Sequence, residues 1–193
     1  MSASRVFLGL VHYPVYNKNG ECVATSVTNL DIHDISRAAA TYDLAAYFLI
    51  HPHAGQHQMV QELLEFWLAG YGAEYNPDRK EALSRLQLTE SVEQAEEQIK
   101  EMYGGTVIRV VTDARVFSRS VSYRELRAKI EQESDTSFLL LFGTGYGMTE
   151  AIMDSADYIL QPISGRGEYN HLSVRSAAAI IIDRLLGPAW WEK

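Results

Sequence analysis

The chain has 193 residues, 47% of them hydrophobic and 22% charged, with one cysteine and a net charge of −8. That length supports a packed core without staples, a lone Cys22 excludes an internal disulfide or a cysteine-built zinc site, and no apolar run approaches the roughly 18–20 residues of a membrane span. The acidic balance counts against a broad phosphate-binding surface, although a local basic patch can coexist with it.

The opening MSASRVFLGLVHYPVY lacks the charged lead and long apolar core of a secretory signal. A single domain over residues 1–193 in the cytoplasm is therefore expected. Arg5–Tyr13 reads as a first strand, ended by Pro14 and the Asn17–Gly20 turn. After the polar stretch Thr25–Leu30, Asp31 or Asp34 can cap a helix running to about Tyr42, with Ile32, Ile35, Ala38 and Ala39 on one face. Leu44–Ile50 is apolar throughout, as a buried parallel strand would be.

A helical insertion is expected around 56–103. Gln56–Leu68 repeats Met59, Val60, Leu63, Leu64 and Trp67 at helical spacing, and Gly70 and Gly72 break it. Arg79–Leu86 and Ser91–Tyr103 read as further helices, the second apolar at Val92, Ala95, Ile99 and Met102. Thr106–Val111 is a third strand, and the charge of Tyr123–Glu133 predicts a helix on the solvent side.

The last third carries the densest signal. Two apolar runs, Phe138–Phe142 and Tyr158–Leu160, each end in a glycine-bearing loop, with a short helix over Met148–Met153 between them. Ser173 caps a final helix striped by Val174, Ala178, Ile181, Ile182 and Leu185. An aromatic tail follows, with Trp190 and Trp191 packing back or meeting another subunit. Alternating strands and helices predict an α/β fold, a mainly parallel sheet with helices on both faces. Glycine loops at strand ends are how such sheets build ligand crevices. A dinucleotide loop would sit early in the chain and be followed by a strand ending in an acid; here the next strand ends in Leu160-Gln161-Pro162.

The order strand, Gly143-Thr144-Gly145-Tyr146-Gly147 loop, short helix, strand, Pro162-Ile163-Ser164-Gly165 loop and Ser-capped helix resembles the SPOUT superfamily of RNA methyltransferases. The segment TNLDIHDISRAAATYDLAAYFLI from Thr28 to Ile50 is similar to the Asn…Ile-x-Arg-Thr-Ala region of its ribose methyltransferases. TNLDIHDISR, FGTGYG and YNHLSVRSAAAIIIDRLLG together are similar to a group of predicted RNA methyltransferases within it.

The resemblance implies a carboxyl-terminal trefoil knot holding S-adenosylmethionine, an RNA substrate, and a homodimer whose active sites form at the two-fold interface. The implied cofactor residues are Thr112, Leu141, Phe142, Gly143, Thr144, Gly145, Gly147, Leu160, Gln161, Pro162, Ile163, Gly165, Asn170, His171 and Leu172. Leu141, Phe142, Ile159, Leu160, Ile163 and Leu172 would line an adenine slot, and Thr112-Asp113 would add a third wall.

The departures fall on the chemistry. Thr144 is followed directly by Gly145, one residue shorter than the ribose-methyltransferase motif, which carries a Glu there. Alignment on Leu172-Ser173-Val174 puts His171 where that group has Asn, and Tyr169 where it has Ser. Sugar and base both remain as acceptors.

By resemblance Arg37 is the active-site cation, with a surface salt bridge as its bland alternative. His171 and Tyr169 would position the acceptor or relay a proton, and Asn170 would hold the loop shut. Arg166 would meet phosphate, and Asp113 and Asp157 are possible carboxylate bases. RNA binding by so acidic a chain would need Arg5, Arg37, Arg115 and Arg119 to converge. His51-Pro52-His53 with His57 has a spacing that can gather imidazoles, but no acid or cysteine adjoins it, so no metal is expected. From another functional class, the chain would be a cofactor-binding regulator or interaction module without catalysis.

Overall fold

The structure is a computed structural model and describes residues 5–189. In chain order its elements are β1 (Arg5–Val11), a hairpin of β2 (Val15–Tyr16) and β3 (Cys22–Val23), α1 (Asn29–Thr41), β4 (Ala46–Ile50), α2 (Ala54–Leu68), α3 (Tyr71–Tyr75), α4 (Pro77–Leu83), β5 (Leu86–Thr89), α5 (Val92–Tyr103), β6 (Thr106–Thr112), β7 (Ser120–Val121), α6 (Tyr123–Gln132), β8 (Thr136–Gly143), α7 (Glu150–Asp154), β9 (Tyr158–Leu160) and α8 (Val174–Leu186). The main sheet has the order β5-β4-β1-β8-β6-β9-β7, and its neighbours pair in parallel.

The central strand β8 explains the layering. Side chains alternate along a strand, so Phe138, Leu140 and Phe142 enter the core beneath α1, α6 and α8. Leu139 and Leu141 enter a second core beneath α5 and α7. Both faces are covered, which is why the strand is apolar at every position from Phe138 to Phe142 rather than at alternate ones.

The sequence reading needs four corrections. Thr28, not Asp31 or Asp34, caps α1, its hydroxyl accepting from the Asp31 N–H at 3.2 Å. The expected helix over Arg79–Leu86 ends at Leu83, and Leu86–Thr89 becomes an edge strand on β4. The stretch 56–103 is accordingly not helical throughout. Four residues cannot show a convincing period, and strand pairing supplied the contacts that decided the conformation. Helix α6, charged as it is, buries Tyr123, Leu126 and Ile130. Trp190 and Trp191 lie outside the described residues.

The end of the chain is threaded. Strand β9 lies between β6 and β7, which are consecutive in sequence and joined by the arch 113–119. Before β9 the chain comes from α7 on one face of the sheet, where Ile152 and Met153 are buried. After it the chain reaches α8 on the other face, where Ala178, Ile181, Ile182 and Leu185 are buried. The Arg119 guanidinium donates to the Met153 carbonyl at 2.6 Å and the Ala156 carbonyl at 3.3 Å, pinning the arch over the entering segment. This is the knot topology of the SPOUT fold.

Helices α1 and α8 lie side by side and parallel. At their amino ends Arg175 reaches Asp31 at 3.1 Å and Asp34 at 3.2 Å. At the other end the Tyr42 hydroxyl donates to Asp183 at 2.8 Å, which raises the Tyr42 pKa.

Candidate functional site

Three loops gather at the carboxyl ends of the adjacent strands β8, β6 and β9: residues 144–149, the arch 113–119, and 161–173. They differ in how their peptide groups are used. In the first loop Thr144 N–H donates to Val11 O (3.2 Å), Tyr146 N–H to Tyr16 O (2.9 Å) and Gly147 N–H to Thr144 O (3.2 Å). Tyr16 N–H returns a bond to Gly147 O at 2.8 Å, and Val15 bridges to Met148. The glycines permit this docking. Gly145 has φ +61°, and a Cβ there would lie 2.9 Å from the Tyr16 carbonyl oxygen. Gly147 has φ +101°, a conformation that glycine alone adopts freely. The close approach read from the sequence is therefore made, in the first instance, by the chain's own β2–β3 hairpin.

The loop after β9 is the reverse. Gln161 N–H donates to Val121 O at 2.9 Å, but among the described residues no main-chain bond involves Pro162–Leu172. A Cβ on Gly165 or Gly167 would meet nothing within 4 Å. The loop is fastened by a side chain, Asn170 Nδ2–H donating to the Ala114 carbonyl at 3.0 Å. Asn170 thus ties this loop to the arch. Peptide groups seek partners, so Ile163–Leu172 offers its own to water or a ligand. On that observation the residues fit a cofactor read by main-chain atoms.

The expected adenine slot needs correcting. Leu141, Phe142 and Leu160, with Ile159, are buried in the two cores and cannot line a slot with their side chains. Ile163 is partly buried against the core, and Leu172 is 46% exposed. The Leu141 carbonyl already accepts from Thr112 Oγ1 at 2.9 Å. What remains for a ligand at these strand ends is main chain.

His171 and Tyr169 are exposed, their rings in edge-to-face contact with centroids 5.5 Å apart. Arg37 is exposed on α1 and pairs with no carboxylate among the described residues, so the salt-bridge alternative is not realised. The expected convergence of arginines fails. Arg5 stands at the amino end of β1 over the Tyr103 ring, about 20 Å from the loops by strand rise. Arg115 is held by Asp113 at 2.8–2.9 Å, and its own pKa rises as a result. Asp157 accepts from the Arg109 N–H at 2.7 Å. Neither Asp113 nor Asp157 is therefore an uncommitted base. Arg166 is exposed in the open loop.

The histidine motif is bound up in hydrogen bonds. His53 N–H donates to His51 Nδ1 (3.0 Å), so His51 carries its proton on Nε2 and donates to the Thr25 carbonyl (3.2 Å). His57 Nε2 bonds the His51 carbonyl at 2.6 Å. Among the described residues no cluster of three His, Cys, Asp or Glu is arranged to hold a metal. The sequence reading missed His12 and Thr25. His12 is 1% exposed and its Nδ1 lies 3.1 Å from Thr25 Oγ1. Burial pushes its pKa down to about 4, with the neighbouring Asp31 charge opposing and His51 assisting. The signal available was position: His12 is the first residue beyond the buried run Val6–Val11.

The profile of a family described as SAM-dependent RNA methyltransferase matches residues 5–187. A protein of uncharacterised function from Aquifex aeolicus is 40% identical over 185 residues, 96% of this chain and 90% of that protein. A tRNA (guanine-N(1)-)-methyltransferase of Nitratidesulfovibrio vulgaris is 41% identical over 185 residues, 96% of this chain but 43% of its own length. The chain thus spans less than half of that enzyme. Among solved structures, the SpoU methyltransferase AviRb from Streptomyces viridochromogenes in complex with AdoMet superposes with a TM-score of 0.55. It is 12% identical, over 96% of this chain and 58% of that one, a likeness of fold. Knot, open loop and full-length profile agree: the chain belongs to the family of S-adenosylmethionine-dependent RNA methyltransferases.

Proposed function

We propose that the open loop Pro162–Leu172, the arch 113–119 and the glycine loop 143–149 hold S-adenosylmethionine, and that the chain transfers its methyl group to a tRNA. The observation that carries this is the set of uncommitted peptide groups between Ile163 and Leu172, fastened to the arch by Asn170. When bound, the cofactor supplies a sulfonium methyl for in-line displacement. Main-chain groups of Ile163, Gly165 and Leu172 would hold the adenosyl part, with Gln161, Pro162, Thr112 and the glycine loop around it. Arg37 binds RNA phosphate from α1. His171 and Tyr169 would position the acceptor or relay its proton, work that depends on placement before basicity. The tRNA class is suggested by the name of the Nitratidesulfovibrio relative, but its guanine-N1 activity belongs to a protein more than twice as long. The acceptor atom is therefore left to product analysis.

A homodimer in the cytoplasm completes this reading. Leu30 (58% exposed) and Leu172 (46% exposed) lie beside the amino ends of α1 and α8, where a second copy would cover them. Among the described residues no helix is long and apolar enough to cross a membrane. A second reading, a cofactor-binding module without catalysis, draws support from the commitment of Arg115 and Arg119 to the protein's own oxygens and from the distance of Arg5.

Calorimetry with S-adenosylhomocysteine tests the pocket, and methyl transfer to total RNA from a strain lacking the gene tests the reaction. We expect cofactor binding, with transfer abolished by Arg37→Ala and strongly reduced by His171→Ala. Binding with no transfer by the unmodified chain would favour the second reading. Transfer undisturbed by both substitutions would refute the roles given to Arg37 and His171.

A further inference from the structure

The register of the sheet lines up three polar residues. Val11 stands opposite Ile50 on β4 and opposite Gly143 on β8. The next residues, His51, His12 and Thr144, therefore form one row along the carboxyl edge. Thr25, at the end of the β2–β3 excursion, touches all three. Its N–H donates to the His12 carbonyl (2.9 Å) and its carbonyl accepts from His51. Its hydroxyl bonds both His12 Nδ1 and the Thr144 hydroxyl.

The directions of these bonds follow from their ends. Thr144 Oγ1 is placed to donate to the Val11 carbonyl at 3.0 Å, and the Thr25 hydroxyl can donate either to Thr144 or, at a longer 3.4 Å, to the His12 carbonyl. The assignment that uses the shorter contacts has Thr25 donating to Thr144 and accepting from His12 Nδ1–H. That leaves His12 Nε2 as a buried lone pair without a partner. His51 has its tautomer set by the His53 N–H. A network of this kind holds its members in a single arrangement.

The two ends of the row face different ligands. Thr144 belongs to the glycine loop on the cofactor side. His51 carries the His53–His57 turn, where His53 is exposed and His57 half-buried at the start of α2. Gln56 in that turn accepts from the Val27 N–H at 2.7 Å, fixing it beside the segment that enters α1 and its Arg37. The turn thus lies on the α1 side, where the RNA would approach.

We propose that Thr25 is a positioning residue for methyl transfer, joining the cofactor loop at Thr144 to an RNA-contacting histidine turn, His53–His57, through its hydroxyl and carbonyl. Removing the hydroxyl cuts the side-chain link from Thr144 to Thr25 and His12 while the main-chain bonds of the loop and of Thr25 to His51 remain, so the cofactor side is held less well and the histidine turn is affected only through it. This rests on the reading of the site as an S-adenosylmethionine-dependent RNA methyltransferase.

The test uses Thr25→Val, which keeps the shape and the main-chain bonds, Thr25→Ser, which restores the hydroxyl, and His53→Ala. Steady-state methyl transfer to total RNA and calorimetry with S-adenosylhomocysteine are the readouts. Thr25→Val is expected to raise KM for cofactor by about tenfold, the equivalent of losing one directed hydrogen bond, and KM for RNA by a smaller factor. Thr25→Ser should bring both back toward the parent, and His53→Ala should raise KM for RNA alone. A role confined to stability would lower Tm and the active fraction, hence kcat, with both KM values unchanged, and that result overturns the proposal. So does a Thr25→Ser variant as impaired as Thr25→Val. If the parent chain itself binds no S-adenosylhomocysteine, the functional reading fails first, and the variants are not needed to see it.

Discussion

Two loops rich in glycine flank the knot, and they sit in opposite physical states. The one after β8 is closed: four of its peptide N–H groups are spent within the protein, and Gly145 and Gly147 take left-handed conformations so that a hairpin can dock on it. The one after β9 is open, with ten consecutive N–H groups from Ile163 to Leu172 uncommitted to main chain and one side-chain tether. Glycine in a sequence announces close approach without naming the visitor. In the closed loop the visitor is Tyr16; in the open loop there is space, and that is where ligand-binding capacity is concentrated.

The contrast can be broken from the closed side first. His12 anchors that side through Thr25, and its folded pKa of about 4 lies below the ordinary 6.5. The unfolded chain therefore takes up this proton first as pH falls. The stability contributed by neutral His12 is complete above about pH 6.5 and lost between about 6.5 and 4, on the order of 3 kcal/mol. Urea melts across that window should show the loss, and His12→Asn should flatten it. Next in size, Gly145→Ala forces a side chain into the left-handed region against the Tyr16 carbonyl and should cost about 2–3 kcal/mol in the same melts. Opening the other side is gentler. Asn170→Ala removes one hydrogen bond, about 1 kcal/mol. It should speed hydrogen exchange in residues 161–173 and weaken S-adenosylhomocysteine binding, with Tm little changed. Smallest in stability is Gly165→Ala, within about 0.5 kcal/mol; in calorimetry it should nonetheless reduce cofactor affinity, which sharpens the distinction between the loops.

Much of the fold could be read from residues. Period-free apolar runs marked β4 and β8 as doubly covered strands, and Ser173 with the stripe from Val174 to Leu185 marked α8. What escaped was decided by partners far away in sequence. Leu86–Thr89 is a strand because β4 lies beside it, and two-residue β7 exists because β9 is inserted there. At the site, the glycine loops could be seen in the sequence, but spacing could not tell which peptide groups were already bonded. The row of His51, His12 and Thr144 depends on inter-strand register, and Thr25 joins it only after a hairpin whose path no local pattern specifies. Arginines were the weakest inference: charge on a list of residues says nothing about which end of a strand, or which carboxylate, each one meets.

The insertion of β9 beneath the arch also dictates an order of assembly. Strands β6 and β8, helix α6 and the arch must already enclose an opening before the segment carrying β9 and α8 can be drawn through it. Non-local closure of this kind is slow because chain entropy is lost before the rewarding contacts form. Threading is thus the gated step of folding, and until it is complete the sheet, with its central strand β8 already in place, has nowhere to put a methyl donor.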